Sequence, residues 1–211
     1  MSISRAGYVG SSGVYVGCYA PNASESQKAM SGPIIVVMPL AEQRGGAELA
    51  LMHLVEHGGP AWAVVFLEDG PMVEQTRSLG VSARVIPSGR LRQPVAYSRC
   101  VRSITGWAKK INASAILGWM GKAHLYGGPA ALLARRPAIW FQHGIPAGHI
   151  DNLATRIPAR GILACSQYVA SLQNKLRPSR PVRVVHPGFQ ADRFDSRALP
   201  PTLEAREQLN L

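Results

Sequence analysis

Four residues that could contact a ligand follow the first strongly apolar run of the chain, residues 34–38. They are Arg44, Gly45, Gly46 and Glu48. Two adjacent glycines let the backbone come close to a bound molecule, and the free N–H groups at the start of a following helix attract an anion. The loop therefore predicts contacts to a phosphate or a sugar, although it matches neither GxGxxG nor GxxxxGK[ST]. The alternative is a tight strand-to-helix turn that needs glycine for its dihedral angles, with Arg44 merely exposed and Glu48 a carboxylate favoured by the helix dipole.

A second candidate is His143, which directly follows another apolar run, residues 138–142. A histidine at a strand end can hydrogen-bond a sugar hydroxyl or a phosphate oxygen, and it can act as an acid or base near neutral pH. The alternative is a structural histidine in a turn before Pro146. Histidine chemistry alone leaves both interpretations open.

The elements that must position these residues alternate along the chain. Short apolar runs predict strands at 34–38, 63–67, 83–86, 115–118, 138–142, 161–165 and 182–185. Amphipathic stretches predict helices at 47–57, 72–79, 94–111 and 123–134, and Ser166 is placed to cap a further helix. In the helix at 47–57 we expect Leu49, Met52, Leu54 and Val55 to face inward. This alternation predicts an α/β fold, a Rossmann-like parallel sheet with helices on both faces.

Composition divides the chain into three parts. Residues 1–32 are rich in Gly, Ser and Tyr and predict a flexible leader, and residues 33–190 predict the Rossmann-like domain. Residues 191–211 predict a linker and the start of another helix near Leu203. The three cysteines are far apart and form no metal or disulfide pattern, which fits a reducing cytoplasm. No stretch is apolar enough for a transmembrane helix.

The chain is strongly basic, with a net charge of +11 and a pI near 10.2. Such a surface attracts nucleic acid, anionic lipid or phosphorylated substrates. Arg92, Arg99, Arg102 and Lys109 are spaced by seven, three and seven residues, which puts them on one helical face opposite an apolar stripe from Tyr97 to Ile111. This face predicts a peripheral contact with an anionic membrane, and the alternative is a solvated basic face with no partner. Nucleic acid is not expected, since aromatic and basic residues are not interleaved.

Four segments in this order resemble the family 4 glycosyltransferases, whose fold is called GT-B. Residues 45–48, Gly-Gly-Ala-Glu, resemble the loop after the first strand of that family, and residues 142–144, Gln-His-Gly, resemble its histidine segment after strand five. Residues 162–168 are similar to the segment that leads through a serine into a helix, and residues 184–194 are similar to the exit from the N-terminal domain. The sequence departs from the family in the exit segment, where Pro187 replaces the usual Asn and Gln190 the usual Asp.

The resemblance implies the N-terminal, acceptor-side domain of a retaining glycosyltransferase. Such an enzyme transfers a sugar from a nucleotide-diphospho-sugar, its co-substrate, to a glycan or lipid-linked acceptor in the cytoplasm or at the inner face of the membrane. No cofactor and no metal are implied. His143 would contact the transferred sugar or stabilise the leaving phosphate, while Arg44, Gly45, Gly46, Glu48 and Gly144 would contact substrate.

The donor site of that family lies in a second domain, whose E-x7-E motif this sequence lacks, and residues 204–211 resemble only the opening helix of that domain. The chain alone is therefore expected to be inactive. The alternative is a non-catalytic Rossmann-like module that binds a sugar or phosphate. A dehydrogenase is disfavoured, because GxGxxG is absent.

Overall fold

The computed structural model describes residues 32–146, 148–188, 200–208 and 210. In this part of the chain, seven parallel strands form one sheet: β1 (Ile34–Met38), β2 (Trp62–Phe66), β3 (Ser82–Val85), β4 (Ala115–Trp119), β5 (Ala138–Gln142), β6 (Gly161–Ala164) and β7 (Val182–Val184). Their order is β3-β2-β1-β4-β5-β6-β7. Strand β1 pairs with both β2 and β4, so the direction of winding reverses at β1. The predicted Rossmann-like α/β fold is confirmed.

Helices connect the strands and cover the two faces of the sheet unequally. They are α1 (Gly46–Gly58), α2 (Pro71–Ser78), α3 (Pro94–Lys110), α4 (Gly121–Ala134), α5 (Gly148–Ala154), α6 (Gln167–Lys175) and α7 (Thr202–Gln208), with a 3₁₀ turn at Gly59–Ala61. Helices α1 and α2 pack on one face, against Val36, Val64 and Phe66. Helices α3, α4 and α5 pack on the other face, against alternate residues such as Ile35 and Val65. This division follows from right-handed crossovers that run in opposite directions from β1.

One expectation about burial is wrong in part. Leu49 on α1 is 42% exposed, because the buried side of the helix runs through Glu48, Leu51 and Val55. Helices lie on both faces of the sheet, as predicted, but they cover the two faces unequally. On the face under α1, no other described helix lies over β4, β5 and β6, and a groove remains there.

Residues 1–31 of the predicted leader lie outside the described residues. Residues 189–199, which belong to the predicted exit segment and linker, lie outside them as well. Helix α7 begins at Thr202, close to the predicted start near Leu203, and none of its side chains is buried. Among the described residues, no helix has the length and apolar character needed to cross a membrane.

Candidate functional site

Trp119 joins the two sequence candidates at one edge of the sheet. In parallel sheets the carboxyl ends of neighbouring strands share an edge, and ligands bind in the crevice beyond it where the strand order reverses. Trp119 is the last residue of β4, which lies between β1 and β5. Its indole Nε1 donates a hydrogen bond to the carbonyl oxygen of Ala47 at 3.0 Å. Its ring stacks on His143, with ring centroids 4.2 Å apart and an angle of 22°. The structure thus brings the start of α1 and the segment after β5 together.

The glycine loop, residues 42–48, leads from β1 into α1 and exposes both of its glycines. Gly45 has extended backbone with φ −171°, and neither Gly45 nor Gly46 has the positive φ that favours glycine. A Cβ on Gly45 would lie 3.6 Å from Glu48 Oε2, an ordinary contact, and a Cβ on Gly46 would have no atom within 4 Å. The alternative of a turn that needs glycine for its dihedral angles is therefore wrong. The two glycines leave open space beside the start of α1.

Two exposed charged residues of the glycine loop already pair with each other. Arg44 forms an exposed ion pair with Glu42, with 2.7 Å between Nη2 and Oε2. The hydrogen bond and the charge of Glu42 raise the pKa of Arg44, and the charges of Glu68 and Glu48 add to this effect. Glu48 is only 4% exposed and lies in the first turn of α1, where the helix dipole favours a carboxylate. An incoming phosphate would have to draw Arg44 away from Glu42.

The histidine corner consists of Trp119, Phe141 and His143. The His143 ring lies 4.0 Å from Phe141, centroid to centroid, at an angle of 42°. Its Nε2 is buried and has no hydrogen-bond partner among the described residues. Burial among these rings lowers the pKa of His143 from 6.5 to about 4. The imidazole is therefore neutral at pH 7, with one nitrogen that donates and one that accepts.

A buried polar network fixes the backbone that carries His143. The side chain of Gln142 accepts from Trp140 Nε1 at 3.1 Å. Its amide donates to the carbonyl oxygen of Gly144 at 3.1 Å and to Asp151 Oδ1 at 3.4 Å. Gly144 has open space where a Cβ would lie, so the fold leaves room beside it as well. The sequence had singled out Gly144 but neither Gln142 nor Asp151 as a positioning residue.

The residue after Trp119 has an unusual backbone. Met120 adopts φ +78°, a conformation that costs most side chains free energy. Its N–H donates to the carbonyl oxygen of Phe141 at 2.7 Å, and its own carbonyl accepts from His124 at 3.1 Å. These bonds hold the end of β4 and the start of α4 in place beside the histidine corner. Strained backbone of this kind often clusters at functional sites.

An apolar groove of about 570 Å³ extends from the histidine corner along α1. Helix α1 forms one wall, and the floor is formed by side chains from β4, β5 and β6, namely Leu117, Trp119, Phe141 and Leu163. Four histidines line it as well, His53, His57, His143 and His186. Of the residues that the structure describes, no carboxylate, lysine or arginine lines the groove, which suits an uncharged occupant. In the described residues, no three His, Cys, Asp or Glu side chains meet in a way that could hold a metal ion.

Trp119 is the residue that sequence reasoning missed. The predicted fourth strand ended at residue 118, and the tryptophan was assigned no role. One signal could have identified it: a large aromatic residue at the carboxyl end of the strand that neighbours β1 in a Rossmann-like sheet. Its partner Ala47 is 72 residues away in sequence, so no local pattern reveals the contact.

Solved glycosyltransferases share this fold. HepE from Anabaena, in complex with UDP and glucose, superimposes with a TM-score of 0.70 at 19% identity over 84% of this chain and 50% of that one. A glycosyltransferase from Rickettsia africae ESF-5 gives a TM-score of 0.71 at 16% identity, over 85% and 50% of the two chains. MurG from Acinetobacter baumannii gives 0.54 at 16% identity, over 80% and 50%. No protein-family profile and no curated protein sequence matches the chain.

These matches show that the chain has a Rossmann-like α/β fold that GT-B glycosyltransferases also contain. The chain spans about half the length of each of the three solved proteins. At these identities the likeness concerns the fold, and the chemistry has to be argued from the site itself.

Proposed function

We propose that this chain is the acceptor-side half of a retaining family 4 glycosyltransferase. The enzyme transfers a sugar from a nucleotide-diphospho-sugar to a glycan or lipid-linked acceptor. One observation carries the proposal: Trp119 contacts both the glycine loop and His143 at the carboxyl edge of the sheet. The backbone dihedral angles do not require glycine at 45 and 46, and the buried Nε2 of His143 has no partner among the described residues. The fold shared with HepE, solved with UDP and glucose, supports it.

In this proposal His143 acts by hydrogen bonding and not as an acid. With a pKa of about 4, its imidazole is not in the imidazolium form at neutral pH and cannot serve as a general acid. A neutral imidazole still offers one N–H to an oxygen of the transferred sugar or of the leaving phosphate. In a corner lined by Trp119 and Phe141, water competes little for that bond, so it stabilises developing negative charge more than an exposed donor would.

The glycine loop has the complementary role. Gly45 and Gly46 let the backbone at the start of α1 approach the donor's diphosphate and the acceptor, and the N–H groups of the first turn favour an anion. Arg44 is exposed beside them and would exchange Glu42 for a phosphate. The remaining proposed substrate contacts are Glu48, whose Oε2 would lie 3.6 Å from a Cβ on Gly45, and Gly144, which has open space where its Cβ would lie.

The test uses the complete protein and compares Gly46→Val and His143→Ala with the unmodified enzyme. We expect His143→Ala to lower kcat about 100-fold, since it removes a group that acts in the transition state. Gly46→Val should prevent turnover by filling the space that the ligand needs. Gly161→Val is the matched control, because Gly161 also has open space at its Cβ and begins β6 at the opposite edge of the sheet.

Transfer from radiolabelled nucleotide sugars, with UDP-glucose first, is the measurement, and thermal unfolding shows that the variants fold. Wild-type kinetics in His143→Ala and Gly46→Val would contradict the site. A complete protein that binds a sugar or nucleotide without turnover would instead be the non-catalytic binding module. The anomeric configuration of the product, read by NMR, tests retention.

We expect the 211-residue chain by itself to transfer no sugar, because it spans about half the length of the matched transferases. Release of UDP from UDP-glucose by the purified chain, above a buffer control, measures this. Any turnover that depends on the chain would contradict the proposal that the donor site lies in a second domain.

A further inference from the structure

The net positive charge of this chain arises from one stretch of sequence. Residues 75–150 contain eleven lysines and arginines and no aspartate or glutamate. The remainder contains twelve basic and twelve acidic residues, so this stretch accounts for the whole net charge of +11. A solvated surface normally mixes both signs. A region of one sign over so long a stretch produces a field that attracts polyanions.

More than half of these cations lie on one helix and the turn before it. We call this surface the basic face, and it comprises Arg90, Arg92, Arg99, Arg102, Lys109 and Lys110, all exposed. Helix α3 begins at Pro94, so Arg90 and Arg92 lie in the turn before it. The prediction that Arg92 lies on the helix, which its seven-residue spacing from Arg99 suggested, is therefore wrong. The ion pairs found among the described residues involve none of the six.

The basic face also carries exposed aliphatic side chains, which the sequence pattern did not reveal. Val95, in the first turn of α3, is 70% exposed, and Leu91 is 37% exposed between Arg90 and Arg92. Val95, Arg99 and Arg102 also line a shallow depression of about 620 Å³, together with Ser98 and Ser103. Two guanidinium groups beside two hydroxyls form a suitable setting for a phosphate ester.

We propose that the basic face docks on an anionic phospholipid bilayer. The six cations meet the headgroup phosphates, and Leu91 and Val95 enter the interface between headgroups and acyl chains. Peripheral attachment generally needs two such signals, one electrostatic and one apolar. Single-stranded nucleic acid would instead be expected to meet exposed aromatic rings. Here Trp107 is 5% exposed, and Tyr97 is half-buried with its hydroxyl donating to Leu125.

The apolar end of the basic face lies toward the candidate site. Helix α3 starts beyond the carboxyl end of β3, and Ser88 in the connection donates its N–H to the carbonyl oxygen of Leu67, just after β2. Leu91 and Val95 are therefore near the sheet edge that carries the glycine loop and the histidine corner. An enzyme docked in this way would present that edge to acceptors anchored in the bilayer. This last step rests on the proposed function, whereas the docking itself does not.

The test is co-sedimentation of the 211-residue chain with phosphatidylcholine vesicles, with and without phosphatidylglycerol, at low and high ionic strength. We expect binding only to the anionic vesicles and release by salt. The double variant R99E/R102E should lower the partition coefficient about 30-fold or more, since each cation near an anionic surface contributes about fivefold. The double variant K175E/R180E changes the net charge equally at exposed positions outside the basic face and should cost much less.

The apolar contribution is tested by L91S/V95S, which should weaken binding severalfold without changing its dependence on salt. If R99E/R102E is not folded, as judged by circular dichroism, the neutral R99Q/R102Q replaces it with a smaller expected loss. No sedimentation with anionic vesicles at low ionic strength would overturn the proposal, and so would equal losses in R99E/R102E and K175E/R180E. Tighter binding to single-stranded DNA than to anionic vesicles, unaffected by L91S/V95S, would point to nucleic acid instead. None of these outcomes depends on sugar transfer.

Discussion

The glycine loop after β1 and the histidine corner after β5 lie at one edge of the sheet, yet they differ in exposure and in charge. In the loop, Arg44 and Glu42 are paired in solvent and both glycines are exposed. In the corner, His143 is held between aromatic rings and its Nε2 is buried. Trp119 contacts both.

This difference shows how one edge can serve two kinds of contact. The glycine loop offers backbone N–H groups and space, which suit a charged and well-hydrated group such as a phosphate. The histidine corner offers a single polar nitrogen in apolar surroundings, where a hydrogen bond is directional and strong. The following predictions test whether the two regions are as different, and as closely linked, as the structure indicates.

The largest effect is expected at the residue that links them. Trp119 is 2% exposed, so Trp119→Ala should lower the free energy of unfolding by about 3–5 kcal/mol. Trp119→Phe keeps an aromatic ring beside His143 and loses the hydrogen bond to Ala47, which should cost about 1 kcal/mol. Urea unfolding measures both. Equal losses in the two variants would show that the hydrogen bond, and not the packing, joins the regions.

The second prediction concerns pH and distinguishes the corner from the loop. Burial lowers the pKa values of His143 and of His124, which is fully buried beside Trp140, from 6.5 to about 4. The unfolded chain therefore binds more protons between these values, and stability is lost as pH falls from about 6.5 to about 4. Since one pKa unit corresponds to about 1.4 kcal/mol, we expect the two histidines together to account for a loss on the order of 5 kcal/mol.

Thermal unfolding across that pH range measures the effect. His143→Gln should remove part of the pH dependence, whereas His149→Gln, at an exposed position on α5, serves as the matched control. If the stability of His143→Gln falls between pH 6.5 and 4 as steeply as that of the unmodified chain, the imidazole of His143 is not held neutral by its surroundings.

The smallest effect is expected in the loop. Arg44→Ala breaks an ion pair whose two side chains are 62% and 58% exposed, and such pairs contribute little to stability. The midpoint of unfolding should not change measurably, while transfer by the complete enzyme should weaken through a higher KM for the nucleotide sugar. A clear loss of stability would mean that the loop is held together by charge, and the contrast with the histidine corner would disappear.

Local signals in the sequence were sufficient for most of the framework. The runs at 34–38 and 138–142 match β1 and β5, because β-branched and aromatic residues in short apolar runs suit buried parallel strands. Ser166 caps α6 as predicted, with its hydroxyl oxygen accepting from the Val169 N–H at 3.2 Å. Helix α5 was missed, because it has only seven residues and begins at Gly148, whose φ is +72°.

The candidate site was less accessible to sequence reasoning. Residue types and strand ends identified the glycine loop and His143. Whether glycine was needed at 45 and 46 depends on backbone dihedral angles and on the space around them, which follow only from the folded structure. The burial of His143, and hence the direction of its pKa shift, depends on Trp119, which another strand supplies. Likewise, the exposure of Val95 on the basic face follows from the packing of α3 and not from its periodicity.

The stacking of Trp119 on His143 has a practical consequence, because it gives the site an optical signal of its own. The two rings are 4.2 Å apart, and an excited indole loses its emission to a protonated imidazole in such contact. A molecule that enters the crevice and draws a proton onto His143, or shifts its ring, would change the fluorescence of Trp119. With Trp62 and Trp107 replaced by phenylalanine, and Trp140 kept as a constant background because its indole N–H holds Gln142, the arrival of a ligand could be followed by light emission, without a label or a turnover assay.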